Sequence, residues 1–262
     1  MNSTNQSSAQ ESEILVEQIQ QVCWITLNRP AKRNALRRVN DPLIWRAIGD
    51  AVRNDSCACI VISGAGSVFC SGSDLSEPRP LSDLNDAYSD EEVLNRFRFA
   101  PLIRSEKPVI AALNGPAIGA GSILALYCDL RVAMPRASLS VNFARLALPA
   151  EYGIAWHLTH LVGKARAADL LLSGRTVEAT EAQSIGLISK VFDEEDFRER
   201  VVEYGTSMFG KSYPSATGSI KKQLLDSATQ SFREAVVSAE ALVEKAIASP
   251  QHKAVISRLL KR

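Results

Sequence analysis

The chain has 262 residues, 46% of them hydrophobic, and 30 basic against 29 acidic side chains give a net charge of +1. That length supports one substantial core with an appendage, and the dispersed, balanced charge excludes a polyanion-binding face, Lys221-Lys222 and Lys261-Arg262 being the densest basic spots. Five cysteines, mostly in apolar stretches, read as reduced core thiols of a cytoplasmic protein; Cys57-Ala58-Cys59 is expected to set two sulfurs on one strand face, and no second pair completes a metal site.

Residues 1–13 are polar, rich in Ser, Asn and Gln, and read as a disordered tail without the apolar core of a signal peptide. Residues 23–27 form a short strand, and 39–53 have helical periodicity with Trp45 and Ile48 on one side. Residues 59–63 are an apolar strand suited to burial on both faces. It empties into a glycine-punctuated turn ending Ser73-Asp74-Leu75. The polar stretch 81–107 carries helical pieces, and its acidic start (Asp83, Asp86, Asp90) suits a mobile cover over a site. A second buried strand, 109–113, runs through Asn114-Gly115-Pro116-Ala117-Ile118-Gly119 into a helix over 120–128. The weakly charged run 108–134 is interrupted by Asn114, Gly115, Pro116 and Asp129, so it divides into strand, turn and helix rather than spanning a membrane. Strands follow at 130–133 and 139–141. From Ile154 onward helices dominate: a buried one over 165–172, a return to strand at 187–191, and an amphipathic helix over 194–209. Residues 214–262 all read as helix with Ser249-Pro250 as the firm break. The strip Val236, Val237, Ala241, Leu242 and Ala246 recurs at helical spacing, as packing onto the chain's own core requires.

The two glycine turns carry the chemistry. Each can bring one backbone N–H to a common point, and two converging N–H groups make an oxyanion hole. Glycine permits the positive φ and the close approach such a turn needs.

Together with Leu27-Asn28-Arg29-Pro30-Ala31-Lys32-Arg33-Asn34-Ala35-Leu36, this pair resembles the crotonase superfamily of enoyl-CoA hydratases and isomerases. The likeness runs from about Val22 to the C-terminus. Residues 182–191 resemble its helix-to-strand signature, and 249–253 the break before its last helix. It implies an α/β fold, a right-handed spiral of ββα units over 14–200, binding an acyl-CoA. It implies also a C-terminal helical trimerisation region over 201–262, giving a homotrimer or a hexamer. By the resemblance, the N–H groups of Ser73 and Ala120 are the two donors. A helix N-terminus adds about half a positive charge behind the second, and donors of this kind contribute ~3–4 kcal/mol each. CoA would lie along Lys32, Ala35, Leu36 and the backbone of Ser71, with Lys32 reaching a phosphate. No cofactor is implied beyond the CoA of the substrate, no metal, and neither nucleic acid nor membrane as partner.

The departures are informative. The hydratases carry one glutamate three residues beyond the second donor, where this chain has Ile123, and another where it has Phe143. Hydration by the family route uses both carboxylates to activate one water. One acid remains: Leu148-Pro149-Ala150-Glu151-Tyr152-Gly153 resembles a loop in which some family isomerases carry a single catalytic Asp or Glu. There Glu151 would take a proton from C2 of a 3-enoyl-CoA and return it at C4, with Ile123 and Phe143 as apolar walls excluding water. Against that, an acid before Gly153 can simply cap the next helix. Rival functions are a hydratase, or a hydrolase of a C–C or thioester bond, in which Glu151 activates water, and a non-catalytic acyl-CoA-binding scaffold. Asp74 is expected to order its turn, Asp129 to mark a helix end, Cys70 and the His157/His160 pair to pack, and Trp156 to line core or pocket.

Overall fold

The computed structural model describes residues 12–77 and 87–261. The first eleven residues of the expected tail and the stretch 81–86, with Asp83 and Asp86, lie outside them. Ser12 and Glu13 lie inside, and Glu13 pairs with Arg29 and Arg37, each at 3.4 Å.

Six strands build the main sheet. They are β1 (Ile14–Ile19), β2 (Val22–Leu27), β3 (Cys59–Gly64), β4 (Val109–Leu113), β6 (Leu130–Ala133) and β9 (Lys190–Val191), in the order β1-β2-β3-β4-β6-β9. Only β1 against β2 is antiparallel; every later pair is parallel. Strands β2, β3 and β4 are largely apolar because both faces are covered, whereas β1 at the sheet edge leaves its four middle residues exposed. Cys23, Ile25, Leu27, Ile60, Ile62, Ala111 and Leu113 enter the main core. Their neighbours Val22, Trp24, Cys59, Val61, Ile110 and Ala112 form a second cluster with Phe197, Val201 and Val202 of helix α8 (Phe197–Phe209). The strict alternation is the strand's two-residue period acting on a sheet buried on both sides. Cys57 joins the first cluster and Cys59 the second, correcting the expectation of a shared face. Cys57 precedes the strand, so its pleat does not fix it. All five cysteines are free and buried.

Helix α1 (Asp41–Arg53) follows a 3-10 turn at Arg38–Asn40, with Pro42 in its first turn and Ile44, Ala47, Ile48 and Ala51 buried. Two short helices, α2 (Asp90–Arg96) and α3 (Ala100–Arg104), occupy the expected cover region. A small sheet of β5 (Ala117–Ile118), β7 (Ser138–Ser140) and β8 (Thr176–Glu178) flanks helix α4 (Ala120–Leu126), every residue of which is buried. Helices α5 (Ile154–Val162), α6 (Lys164–Ser173) and α7 (Ala179–Ser184) follow.

The C-terminal region is α9 (Pro214–Asp226), α10 (Phe232–Ala248) and α11 (Pro250–Leu259). It has a break the sequence reading missed: Ser231 and Glu234 form a capping box that starts α10. None of the three helices buries a residue, and Phe232 is 86% exposed. Val236 and Val237 of the apolar strip are exposed as well, so packing on the chain's own core does not account for them. Among the described residues no helix is long and apolar enough to cross a membrane.

Candidate active site

The turn after β3 and the turn after β4 are fastened together before either reaches its glycine. Asn114, buried at the end of β4, accepts from the N–H of Gly64 at 3.0 Å and donates to the carbonyl of Gly66 at 2.8 Å. Asn34 accepts from the N–H of Arg29 (2.9 Å) and donates to the carbonyls of Ala65 and Val68 (2.9 and 2.7 Å). These two amides satisfy backbone groups that no ladder reaches. The sequence reading assigned neither a role, although a lone polar residue ending the apolar run 109–113 was itself a signal.

Beyond them the two turns pair. The N–H groups of Phe69 and Cys70 donate to the carbonyl of Pro116, and that of Ile118 to Cys70 at 2.9 Å. Gly121 packs flat on Cys70; a Cβ there would lie 2.3 Å from the Cys70 carbonyl. Burial pushes the Cys70 thiol up to about 12, in keeping with a packing role. Gly72, at φ +104°, brings its Cα against α4: a Cβ built on it would stand 2.9 Å from the Ile118 carbonyl and 3.5 Å from the Ala120 nitrogen. Gly72, the residue before Ser73, therefore lies against the start of α4. Among the described residues neither the Ser73 nor the Ala120 N–H donates a hydrogen bond.

The segment 29–36 lies along the same turn. Ser71 donates to Arg33 (3.0 Å), Leu36 to Gly72 (2.7 Å) and Asp74 to Leu36 (2.9 Å), all through backbone. Arg33 and Asn34 adopt φ +49° and +55°, curling the chain. Lys32 is exposed at the end of a 3-10 turn, Ala35 is half-buried and Leu36 buried. Asp74 orders its turn: the Ser76 hydroxyl and N–H, then Arg29 at 3.1 Å, hold its carboxyl down at about 2. Asp129, just past α4, accepts from the N–H of Val109 at 2.7 Å and pairs with Lys221 of α9 at 2.8 Å.

Ile123 and Phe143 are buried in the main core, at 0% and 5% exposure, so hydrocarbon fills both positions. Glu151 is half-buried in the loop before α5, and its carbonyl accepts from the N–H of Ile154 at 3.1 Å. Tyr152 and Gly153 follow at φ +56° and +64°. The phenol of Tyr127, at the C-terminal end of α4, donates to the Tyr152 carbonyl at 2.6 Å. Arg98, between α2 and α3, clamps Asp41 through two bonds (2.7 and 2.9 Å) and reaches the Tyr152 hydroxyl at 3.4 Å. Rings of Phe97, Phe99, Tyr127, Tyr152 and His157 interlock around this joint. His157 bonds the Leu126 carbonyl at 2.8 Å and packs as expected, whereas His160 is exposed and bonds the Trp156 carbonyl of its own helix. Trp156 is 42% exposed, which corrects its placement in the core. Among the described residues no group of His, Cys, Asp or Glu is arranged to hold a metal ion.

Comparison with known proteins shows the family and the fold. Residues 17–259 match the enoyl-CoA hydratase/isomerase family model. The chain is 31% identical over 258 residues to the 4-chlorobenzoyl coenzyme A dehalogenase-1 of an Arthrobacter species, covering 97% of this chain and 91% of that one. It is 35% identical over 219 residues to the 2,3-dehydroadipyl-CoA hydratase of Escherichia coli, covering 82% and 83%. The crystal structure of an enoyl-CoA hydratase from Bacillus anthracis superposes with a TM-score of 0.81 at 25% identity, over 96% of this chain and 97% of that one. The α/β core and the helical C-terminal region are those of the crotonase fold, and the chain belongs to the enoyl-CoA hydratase/isomerase family of enzymes.

Proposed function

We propose that this enzyme shifts the double bond of a 3-enoyl-CoA into conjugation with the thioester, using Glu151 as its single acid and base. CoA lies along Lys32, Ala35, Leu36 and Ser71, and the thioester oxygen sits between the N–H groups of Ser73 and Ala120. The Glu151 carboxylate takes a proton from C2, and the electron pair delocalises onto the thioester oxygen, where the two donors stabilise it. The new carboxylic acid then gives its proton to C4, and the double bond moves from C3–C4 to C2–C3. No water is consumed and no second acid is needed.

The observation that carries this reading is a pair of unengaged N–H groups beside Gly72, with buried hydrocarbon at Ile123 and Phe143 where a hydratase needs carboxylates. A second reading draws on the likeness to the dehalogenase over 97% of the chain and on the aromatic rings around the Glu151 loop. In it the same carboxylate adds to the halogen-bearing ring carbon of an aroyl-CoA, halide leaves with the bonding pair, and water then cleaves the resulting aryl ester to give a hydroxyaroyl-CoA and the free Glu151 carboxylate.

Incubation with trans-3-hexenoyl-CoA, trans-2-hexenoyl-CoA and 4-chlorobenzoyl-CoA, followed by chromatography that resolves the two hexenoyl isomers and by mass spectrometry, separates the alternatives. The isomerase gives 2-hexenoyl-CoA of unchanged mass from the first and no hydrated product from the second. Released chloride from the third transfers the role of Glu151 to nucleophile. Gain of one water on 2-hexenoyl-CoA overturns the single-base reading. Binding of all three without turnover leaves the scaffold.

A further inference from the structure

Helix α4 reaches both halves of the proposed chemistry. Its first residue, Ala120, presents a free N–H, and the residue that ends it, Tyr127, holds the loop of Glu151. Ala120, Ile123 and Tyr127 stand at i, i+3 and i+7, on one stripe of the helix. The seven residues between Ala120 and Leu126 are all buried, so the stripe is a short rigid rod.

The Tyr127 ring is held without its hydroxyl. It stacks on His157 at 4.4 Å and 20°, lies near-parallel to Phe99 at 6.1 Å and meets Phe97 edge-on at 5.0 Å. The hydroxyl is engaged by one group, the carbonyl of Tyr152, the residue after Glu151. Tyr152 sits at φ +56°, where an L side chain stays only when its surroundings hold it. His157 closes the joint from α5 through the Leu126 carbonyl. Burial raises the Tyr127 phenol above its usual range, so it remains a donor at every pH at which the enzyme would work.

We propose that Tyr127 is a positioning residue for Glu151: its phenol pins the left-handed turn at Tyr152 to the end of α4 and so sets the carboxylate against the oxyanion donors at the other end. The proposal rests on the reading of Glu151 as the acid and base. Packing alone calls for an aromatic ring at position 127; the hydroxyl answers to the loop.

The test compares the wild type, Tyr127→Phe, Glu151→Gln and the double variant, with trans-3-hexenoyl-CoA turnover and amide hydrogen exchange at Ile154 as readouts. Tyr127→Phe keeps the ring stack and the Arg98–Tyr152 contact, so the fold is retained. Expected is a kcat lower by roughly 10- to 100-fold, the cost of about 1 Å of misplacement, with KM changed less than about twofold. The residual rate of Glu151→Gln should not fall further in the double variant. The Ile154 N–H, bonded to the Glu151 carbonyl, should exchange at least about tenfold faster in Tyr127→Phe while later amides of α5 keep their protection. Unchanged Ile154 exchange overturns the proposal whatever the turnover. So does unchanged kcat in Tyr127→Phe beside an inactive Glu151→Gln, or an equal loss in both backgrounds. Full activity of Glu151→Gln removes the reading beneath the proposal and is recognised by that variant alone.

Discussion

Replacing Gly72 by alanine tests the oxyanion construction at its tightest point. Two costs can be separated. The first is conformational: at φ +104° an L residue is strained by about 1–3 kcal/mol. The second is steric: the added Cβ would stand 2.9 Å from the Ile118 carbonyl, several tenths of an ångström inside ordinary contact, and 3.5 Å from the Ala120 nitrogen. Backbone must give way on one side, and either motion separates Ser73 from Ala120. A displaced donor costs ~10²–10³ in kcat. Gly186→Ala is the control, since Gly186 has φ +85° and nothing within 4 Å of its Cβ position. Both variants should lose Tm by about 2–4 °C per kcal/mol of strain for a chain of this size. Only Gly72→Ala should lose turnover by two orders of magnitude or more. Calorimetry on both proteins, with initial rates, decides the matter. Wild-type turnover in a folded Gly72→Ala enzyme would refute the placement of the donors at this turn.

Other expectations follow from the same interactions. Asn114→Ala strips partners from the Gly64 N–H and the Gly66 carbonyl, and should destabilise by about 2–6 kcal/mol in urea unfolding, at about 1–3 kcal/mol for each of the two orphaned groups. Burial lowers the pKa of His157, so its folded pKa lies below its unfolded one. The unfolded state then binds the extra proton, and this contribution is complete above the unfolded value of about 6.5 and is lost as pH falls through the window below it. Tm measured from pH 8 to pH 5 should fall more steeply for the wild type than for His157→Gln. The three C-terminal helices that bury nothing predict a solution mass of three or six chains of 28.5 kDa by light scattering. Phe232→Asp with Leu224→Asp, at 86% and 69% exposure, should reduce that mass without lowering soluble yield.

Much of the fold was legible because its strands are buried on both faces. An apolar run such as residues 59–63 has few alternatives, and β4 and β6 fall at the residues expected. β1 went unread because its middle four residues are exposed, leaving neither a continuous apolar run nor a clean alternation. β8 has one buried residue between two exposed ones and is defined by its partner β7. The start of α10 was written in Ser231-x-x-Glu234 and was passed over within a uniformly helical composition. At the site, the glycine turns were readable because a backbone crossing closely can be made almost only with glycine. The riveting amides and the Tyr127–Tyr152 joint were not. Most of their bonds join residues 25 to 50 positions apart, and although Asn114 stands out as a polar end to an apolar run, nothing local names its partners.

The central claim is that one carboxylate performs both proton transfers. It is tested most directly by converting trans-3-hexenoyl-CoA in D2O with the wild type and with Glu151→Gln, reading double-bond position and deuterium content by mass spectrometry. The account predicts 2-hexenoyl-CoA whose C4 carries mostly the proton taken from C2, with little deuterium from solvent, and no addition of water. It also predicts a loss of at least about a thousandfold in Glu151→Gln, with CoA-ester binding retained. Isomerisation at the wild-type rate by Glu151→Gln would contradict it.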